Sequence, residues 1–380
     1  MIRFILFLIP FIELFAFEYK SQTALKYIGY EDSKNEFLAD GDLKLKVQNE
    51  LFTTNIKLEY LYSYEYKKRR YLLLNELYLS KEYEDYIFEF GKSIKYWGTL
   101  EGYNIADIYN HKNYLKDPFD KSEKLGSFGM DIGKYFDEDS LELGIKFYED
   151  DIKYGDQQTP YFPFPIRCDD ELQLSEKRYT PSVYLAYSLT SENIIESENK
   201  LILYSGYDSK RYFVPSDNLS LSQYAYRVNK LVFLSTIIYE DTIFKTEMTY
   251  TDVVDDENIS DYYQLSFGVE KNLYGIAGSD LGLYLEYYKY TYKEDGKVEG
   301  VDISEIYDDD IFFALKLNLN DVKSSEIKAG LTYDLQSYEK FFKAKLKSRL
   351  FDNLVLEAEY LNISSNSFEN KMNLGLAYIF

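Results

Sequence analysis

Short segments in which apolar and polar side chains alternate recur along almost the whole chain, and no other feature limits its fold so strongly. In residues 263–269, for example, Leu265, Phe267 and Val269 are separated by a serine and a glycine. A period of two places each set of side chains on its own face of a β-strand. We count about 18 such segments and find no convincing amphipathic helix. The sequence therefore predicts an all-β protein.

The composition favours a barrel that spans a membrane over a soluble sandwich or propeller. Aromatic residues make up 18% of the chain, yet the mean hydropathy is only -0.39. A soluble fold would have to bury every apolar strand face, whereas a transmembrane barrel turns these faces outward to lipid. Strands in lipid must also close on themselves, because a free edge leaves backbone groups unpaired. We predict a closed antiparallel transmembrane β-barrel of about 18 strands, with 16 as the alternative.

The connections between these segments alternate between short and long. Short links are expected near 52–53, 81–85, 136–140, 239–241, 320–324 and 351–353. Long links are expected at 97–125, 149–178, 209–221, 253–260 and 293–309. Three links depart from this scheme. The links at 191–200 and 273–280 fall where short ones are expected but are longer, and the link at 337–339 falls where a long one is expected but is short. The alternation predicts short periplasmic turns at one end of the barrel and long outer loops at the other.

The first residues form a candidate secretory signal peptide. Arg3 precedes an apolar run, and Ala16 supplies the small residue expected at a cleavage site. The run contains Glu13 and is too short for a comfortable membrane span. We predict a signal peptide over residues 1–16 and an outer-membrane β-barrel over residues 17–380.

The final segment ends the chain on an aromatic residue. Leu376, Tyr378 and Phe380 fall on one face of this segment. It resembles the C-terminal strand of Gram-negative outer-membrane β-barrels, and the last strand of a soluble sheet is the alternative. The resemblance implies a location in the cell outer membrane and contact with outer-membrane lipid and lipopolysaccharide. It also implies that the barrel assembly machinery recognises Tyr378 and Phe380 as an assembly signal.

A second resemblance covers residues 76–110. In order, this stretch contains Gly91-Lys92, Trp97-Gly98 and Asp107. It resembles a strand–turn–strand–loop of Gram-negative porin-like barrels. Two sites depart from the usual Gly-Arg-Gln and Asn-Pro of that family, namely Gly91-Lys92-Ser93 and Asn110-His111. The resemblance implies an outer-membrane channel or a channel-like protein.

The predicted loop after Trp97 is long enough to enter the lumen, as loops of porin-like barrels often do to form a constriction. Candidate constriction residues are Trp97, Gly98, Glu101, Asp107, Lys112 and Lys116. For Trp97 itself, a position as a plain aromatic residue at the membrane interface is the favoured interpretation.

The polar strand faces are expected to line the lumen. Lys343, Lys345 and Lys347 occupy such a face, and the next segment presents Glu357 and Glu359. The spacing across the intervening turn predicts that Lys347 lies opposite Glu357 and Lys345 opposite Glu359. Such cross-strand pairs contribute about 0.2–1 kcal/mol each, so we favour a structural ladder over a selectivity element. Further pore-lining candidates are Lys316, Lys245 and Glu247.

Charge and residue counts exclude several classes of function. The formal net charge of -22 argues against nucleic acid, which is bound through Lys and Arg. With one cysteine, Cys168, and one histidine, His111, no intrachain disulfide and no multi-histidine metal site can form. We expect no metal and no cofactor. We interpret the acidic runs at 255–257 and 308–310 as solvated loop residues, with oxygen ligands for Ca²⁺ or Mg²⁺ as the alternative. A barrel hydrolase would depend on His111, so we expect that the protein is not an enzyme.

Two functions remain after these exclusions. The first is a porin-like channel, as a monomer or a homo-oligomer, for passive diffusion of small solutes or ions. The second is a non-conducting barrel that acts as an adhesin, receptor or scaffold through its outer loops. About 18 strands leave an aqueous lumen unless loops fill it, which favours the channel.

Overall fold

The computed structural model describes residues 16–162, 164, 166–192, 195–216, 220–254, 256, 258–293, 307–364 and 369–380. The predicted signal peptide therefore lies outside the described residues except for Ala16. The described strands are β1 (Ala16–Tyr30), β2 (Glu36–Gln48), β3 (Thr53–Ser63), β4 (Arg70–Tyr83), β5 (Tyr86–Ser93), β6 (Ser127–Phe136), β7 (Asp139–Lys146), β8 (Cys168–Leu174), β9 (Ser182–Glu192), β10 (Glu196–Tyr207), β11 (Tyr212–Ser216), β12 (Ser220–Ala225), β13 (Arg227–Tyr239), β14 (Thr242–Val253), β15 (Tyr262–Ile276), β16 (Ser279–Tyr292), β17 (Asp309–Asn318), β18 (Glu326–Asp334), β19 (Lys340–Phe351), β20 (Leu354–Ile363) and β21 (Lys371–Ile379). No helix among these residues is long and apolar enough to cross a membrane.

Eighteen of these strands form one antiparallel sheet that closes into a barrel. Each strand pairs with its neighbours in chain order, and β1 pairs with β21 from Gln22 opposite Ile379 to Tyr30 opposite Lys371. The predicted closed barrel of about 18 strands is confirmed, and the 16-strand alternative is wrong. Closure gives every barrel strand two partners, as strands in lipid require.

The barrel has two unlike ends, as the lengths of the connections predicted. At the turn end, short links such as residues 49–52 and 84–85 join consecutive strands, and both β1 and β21 have their free ends there. At the other, which we call the loop end, longer segments join the strands. The links expected over 191–200 and 273–280 are shorter than expected. The strands continue further than the sequence pattern indicated, to Glu192 in β9 and to Ile276 in β15.

Large apolar side chains cover the outer surface of the barrel. In β9, Val183, Leu185 and Tyr187 are all more than a third exposed, whereas the alternate residues Tyr184 and Ala186 are 1% exposed. A soluble protein would bury the first set, so this surface fits a lipid environment. Exposed aromatic residues near the turn end fit an interface girdle; they include Phe17, Tyr19, Tyr83, Phe136 and Tyr239.

A second, three-stranded sheet lies in the segments at the loop end and was not predicted. It consists of β8, β11 and β12, with β8 and β12 parallel. Ile152, Tyr154 and Phe164 form a small apolar cluster with Phe213 of β11 and Tyr114 packed against it. The short strands lack the long alternating pattern of the barrel strands, and they pair across two different loops. For that reason the alternation of apolar residues did not predict them.

Candidate functional site

Residues 94–126, which join β5 to β6, fold into the lumen, and we call this segment the inner loop. Its fixed point is Glu247 of β14, which is fully buried. The Glu247 carboxylate accepts hydrogen bonds from the backbone N–H groups of Thr99 at 2.6 Å, Leu100 at 3.3 Å and Ala106 at 3.0 Å. Hydrogen bonds to a charged acceptor are roughly twice as strong as neutral ones. Glu247, proposed as a pore-lining residue, therefore anchors the loop to the wall.

Glu286 of β16 provides a second anchor that the sequence analysis missed. Its carboxylate accepts hydrogen bonds from the backbone N–H groups of Glu101 at 2.6 Å and Gly102 at 2.9 Å, and from the hydroxyl of Tyr288. A side chain at position 102 would approach Glu286 and Tyr288 to 3.0–3.1 Å, which favours glycine there. The alternation of apolar residues in β16 could have identified Glu286 as an inward-facing carboxylate.

Trp97 lies inside the barrel and not at the membrane interface, so that favoured interpretation is wrong. The indole is 4% exposed and packs against Tyr184 of β9 with ring centroids 4.9 Å apart, and against Tyr109 at 5.7 Å. The next residue, Gly98, approaches the loop closely, since a Cβ there would lie 2.2 Å from Asn104. Trp97 is buried because the inner loop turns back over the wall directly after β5.

Three of the other constriction candidates form contacts with residues of the inner loop itself. Lys112 donates to the carbonyl of Pro118 at 2.9 Å, and Lys116 forms an ion pair with Glu123 at 2.8 Å. Asp107 contacts Lys124. Burial raises the pKa of the Asp107 carboxyl, and the Lys124 ammonium opposes that rise. These contacts let the loop keep its own shape inside the lumen.

The far part of the inner loop is joined to the opposite wall by ion pairs. Asp117 lies 3.2 Å from Lys371 of β21, and Asp120 lies 3.4 Å from Lys345 of β19. Burial by itself would raise the pKa of Asp120, but Lys345, Lys343 and the hydrogen bond from Ser122 together lower it to about 2. Together with the contact between Glu101 and Lys328 of β18, these pairs make the loop span the lumen.

The lysines of β19 face the lumen and have the predicted register. Lys345 is the cross-strand partner of Glu359, and Lys347 is the partner of Glu357. The corresponding charged atoms lie 3.2 Å and 3.5 Å apart, and Lys343 lies 3.6 Å from Glu359. The two remaining basic candidates are paired as well: Lys316 with Glu326 at 3.0 Å and Lys245 with Glu270 at 2.7 Å.

The inner loop fills one side of the lumen and leaves a cavity on the other. Its first half packs against β9–β17, where Trp97, Ile108 and Leu100 belong to apolar clusters with wall residues. A cavity of about 430 Å³ remains between the loop and strands β1–β3 and β18–β21. Among the described residues, six basic and eight acidic side chains line it. We call this space the side passage.

His111 lies in a buried ion cluster that the sequence did not reveal. Its Nε2 atom is 2.8 Å from Glu149 and 3.0 Å from Arg211, and Lys146 lies 2.8 Å from Glu149. Burial and the neighbouring Arg211 lower the pKa of His111 to about 4. Three long connections meet here, because His111, Glu149 and Arg211 come from different segments at the loop end. The cluster joins these three segments through His111, Glu149 and Arg211.

The described residues give no sign of a metal site. Among them, no group of three or more His, Cys, Asp or Glu side chains is arranged to hold a metal ion. Of the acidic runs, Asp255 and Glu257 lie outside the described residues. Asp310 is 1% exposed and accepts hydrogen bonds from the N–H groups of Asp308 and Asp309, so that run is not simply solvated.

Comparison with known proteins was informative only at the level of structure. No family model and no curated protein matches the sequence. OccAB4 of Acinetobacter baumannii shares 12% identity and a TM-score of 0.57, with 96% of this chain and 98% of that one covered. Two proteins of Pseudomonas aeruginosa have similar folds. OccK8 (OprE) shares 8% identity and a TM-score of 0.55, with 96% of this chain and 98% of that one covered. The outer membrane protein OpdK shares 9% identity and a TM-score of 0.53, with 96% of this chain and 99% of that one covered. At these identities the similarity shows that the chain has the fold of an outer-membrane porin β-barrel.

Proposed function

We propose that the protein is a porin-like channel of the outer membrane that passes small solutes by diffusion through the side passage. The observation that carries this proposal is the inner loop, which narrows an 18-stranded lumen without filling the β1–β3 and β18–β21 side. Barrels of this size leave an aqueous lumen unless they are plugged. OpdK, which has a similar fold, has been solved with vanillate, a small solute.

The size and charge of the side passage suit small polar solutes. Its volume of about 430 Å³ lies within the range of small-molecule sites, about 300–1,000 Å³. Basic and acidic side chains form ion pairs around it. The charged atoms of Lys26 and Asp40 lie 3.0 Å apart, and those of Lys371 and Glu359 also lie 3.0 Å apart. Because almost every base has an acidic neighbour, we propose that the passage discriminates mainly by size and polarity.

The surroundings of the barrel follow from the same proposal. The turn end faces the periplasm and the loop end faces outward, and residues 1–16 are removed as a signal peptide. The exposed apolar band contacts outer-membrane lipid, and the loop end contacts lipopolysaccharide. Tyr378 and Phe380, whose rings are 4.5 Å apart on the outer face, are recognised by the barrel assembly machinery. A homo-oligomer is compatible with this arrangement.

A non-conducting barrel that binds partners through its outer loops is the second candidate. The observation in its favour is the separate sheet of β8, β11 and β12, which gives the loop end a structured surface. The aromatic cluster of Tyr154, Phe164 and Phe213 stiffens this surface, with ring centroids 4.3–5.8 Å apart. An adhesin or receptor needs such a surface, whereas a diffusion channel does not.

Conductance of the purified protein in a planar lipid bilayer separates the two candidates. The channel proposal predicts discrete steps of current that grow when the loop is released from the wall by Asp117→Asn with Asp120→Asn. A matched control is Asp321→Asn, because Asp321 lies in the turn between β17 and β18, where it bonds Ser325 and does not contact the inner loop. A correctly folded barrel that gives no current, alone or with the released loop, would refute the channel and leave the binding role.

A further inference from the structure

Three lysines stand side by side on the lumen face of β1, β2 and β3 near the turn end. Lys20 of β1 is the cross-strand partner of Lys44 of β2, and Lys44 is the partner of Lys57 of β3. Directly opposite like charges destabilise a sheet. The paired lysines of β19 show the contrary arrangement, since Lys345 stands opposite Glu359. The lysine row therefore needs an explanation other than sheet stability.

The row lies in a recess of about 270 Å³. The charged and polar side chains that line this recess are four lysines, two carboxylates, an amide and a phenol: Lys20, Lys44, Lys46, Lys57, Glu18, Glu76, Asn55 and Tyr78. They alternate along their strands with residues of the outer surface such as Phe17 and Tyr62, so they point into the lumen. The recess is distinct from the side passage, which shares none of these residues.

Only part of the positive charge in the recess has a carboxylate opposite it. Glu18 is the cross-strand partner of Lys46, and Glu76 is the partner of Lys57. Lys57 contacts Glu59 of its own strand. In the described part of the chain, Lys20, Lys44 and Lys46 form no ion pair with any carboxylate. By contrast, the lumen lysines Lys245 of β14, Lys316 of β17 and Lys347 of β19 each have one. The four lysines outnumber the two carboxylates of the recess, and Lys20 and Lys44 face each other across the strands, so an anion can lie on this stretch of wall.

We propose that the lysine row is a binding site for small multivalent oxyanions of the phosphate type at the turn-end mouth of the lumen. Lysine binds phosphate as a point charge, and several lysines with an amide and a hydroxyl donor can surround one oxyanion. The recess opens to the lumen and not to lipid, so the ligand is a dissolved solute. Each contact is made in water and is weak, so the affinity is on the order of millimolar, as suits an exit site.

The proposed function is needed only to place this site at the periplasmic mouth of a channel. Binding itself can be measured without conduction. The probe is inorganic pyrophosphate, whose ³¹P line width is followed on titration of the detergent-solubilised protein at low salt. The test variant combines Lys20→Gln, Lys44→Gln and Lys57→Gln. The matched control combines Lys245→Gln, Lys316→Gln and Lys347→Gln, which removes the same charge from paired lumen lysines.

We expect the test variant to weaken pyrophosphate binding about tenfold or more and the control to weaken it by less than about threefold. Equal weakening in both variants, or no binding by the unaltered protein, would overturn the site. If the triple variant does not fold, Lys44→Gln alone should still weaken binding about threefold, and unchanged binding would again refute the proposal.

A second readout separates this site from the channel proposal. In a planar bilayer, pyrophosphate on the periplasmic side should reduce the current of the unaltered protein but not that of the test variant. A barrel that never conducts but loses pyrophosphate binding in the test variant keeps the site and refutes the channel. A conducting barrel in which the two triple variants bind pyrophosphate equally keeps the channel and refutes the site.

Discussion

The carboxylate of Glu247 lies 2.6 Å from the backbone nitrogen of Thr99, although 148 positions separate the two residues in the chain. Together with the bonds to Leu100 and Ala106, this contact fixes where the inner loop crosses the lumen. A buried carboxylate without hydrogen-bond donors would be costly, so the anchor and the loop depend on each other.

Replacing both anchors should release the base of the inner loop. In the variant Glu247→Gln with Glu286→Gln, the charged acceptors are lost, at about 1.5–3 kcal/mol for each hydrogen bond to a charged group. Trp97 is the single tryptophan and is buried, so its fluorescence emission should shift to longer wavelength. Glu270→Gln is the matched control, because Glu270 pairs with Lys245 of the wall and not with the loop. Unchanged emission in the double variant would contradict the anchoring role.

Releasing the far part of the loop should have a different signature. In Asp117→Asn with Asp120→Asn, the pairs with Lys371 and Lys345 are lost while the anchors remain. Conductance should rise and the Trp97 emission should stay where it is. If the emission shifts as it does in the anchor variant, the two halves of the loop do not move separately.

Acid should leave the pair of Asp120 and Lys345 intact until a low pH. The pKa of Asp120 is lowered to about 2 from an ordinary value of 3.8, so the folded state favours the ionised carboxyl. The stability from this pair is present above pH 3.8 and is lost as the pH falls through about 2. The conductance of the unaltered protein should therefore stay constant from pH 7 to pH 4. An increase over this range that is absent in Asp120→Asn would count against the pair.

The buried His111 should make the loop end sensitive to mild acid. Its pKa is about 4 in the folded protein and 6.5 in the unfolded chain, so the unfolded state binds the proton first. Stability is highest above pH 6.5 and falls, by about 3 kcal/mol at most, as the pH drops to about 4. Urea unfolding at several pH values should show a smaller drop over this range in His111→Gln. An identical pH dependence in the two proteins would refute the assignment.

The β19 lysines should influence ion preference more than folding. Lys343, Lys345 and Lys347 face a water-filled space, and exposed ion pairs add little to stability. Replacing all three by glutamine should shift the reversal potential across a salt gradient toward cations, and more so at low salt, where the Debye length is long. A conducting barrel with an unchanged reversal potential would show that these lysines do not face the ion path.

Deleting Phe380 should impair assembly more than deleting any loop residue. Phe380 extends past β21 on the outer face, where its backbone N–H donates to the carbonyl of Ser21 at 2.8 Å. The deletion removes both this bond at the closing seam and the proposed assembly signal. Gel migration with and without heating measures the folded fraction, and a normal folded band in the truncated protein would contradict the prediction.

The local pattern of the sequence determined the barrel and much of its wall. Because side chains alternate strictly along a strand, apolar periodicity identified the strands, their outward faces and the closed sheet. The same period, counted across a short turn, gave the register of Lys345 with Glu359 and of Lys347 with Glu357. The strand faces and these registers depend on neighbours within a hairpin, so they can be read from a continuous stretch of chain.

Only the tertiary structure decided what lies inside the lumen. The burial of Trp97, the anchors Glu247 and Glu286 and the cluster around His111 join segments that are distant in the chain, and no local period encodes such contacts. The path of the inner loop depends on the curvature of the closed wall, which brings carboxylates of β14 and β16 to the backbone of residues 99–106. The same curvature leaves the cavity of about 430 Å³ on the opposite side of the lumen. Thus strand faces follow from alternation, whereas the shape of the lumen follows from closure and from the loop that crosses it.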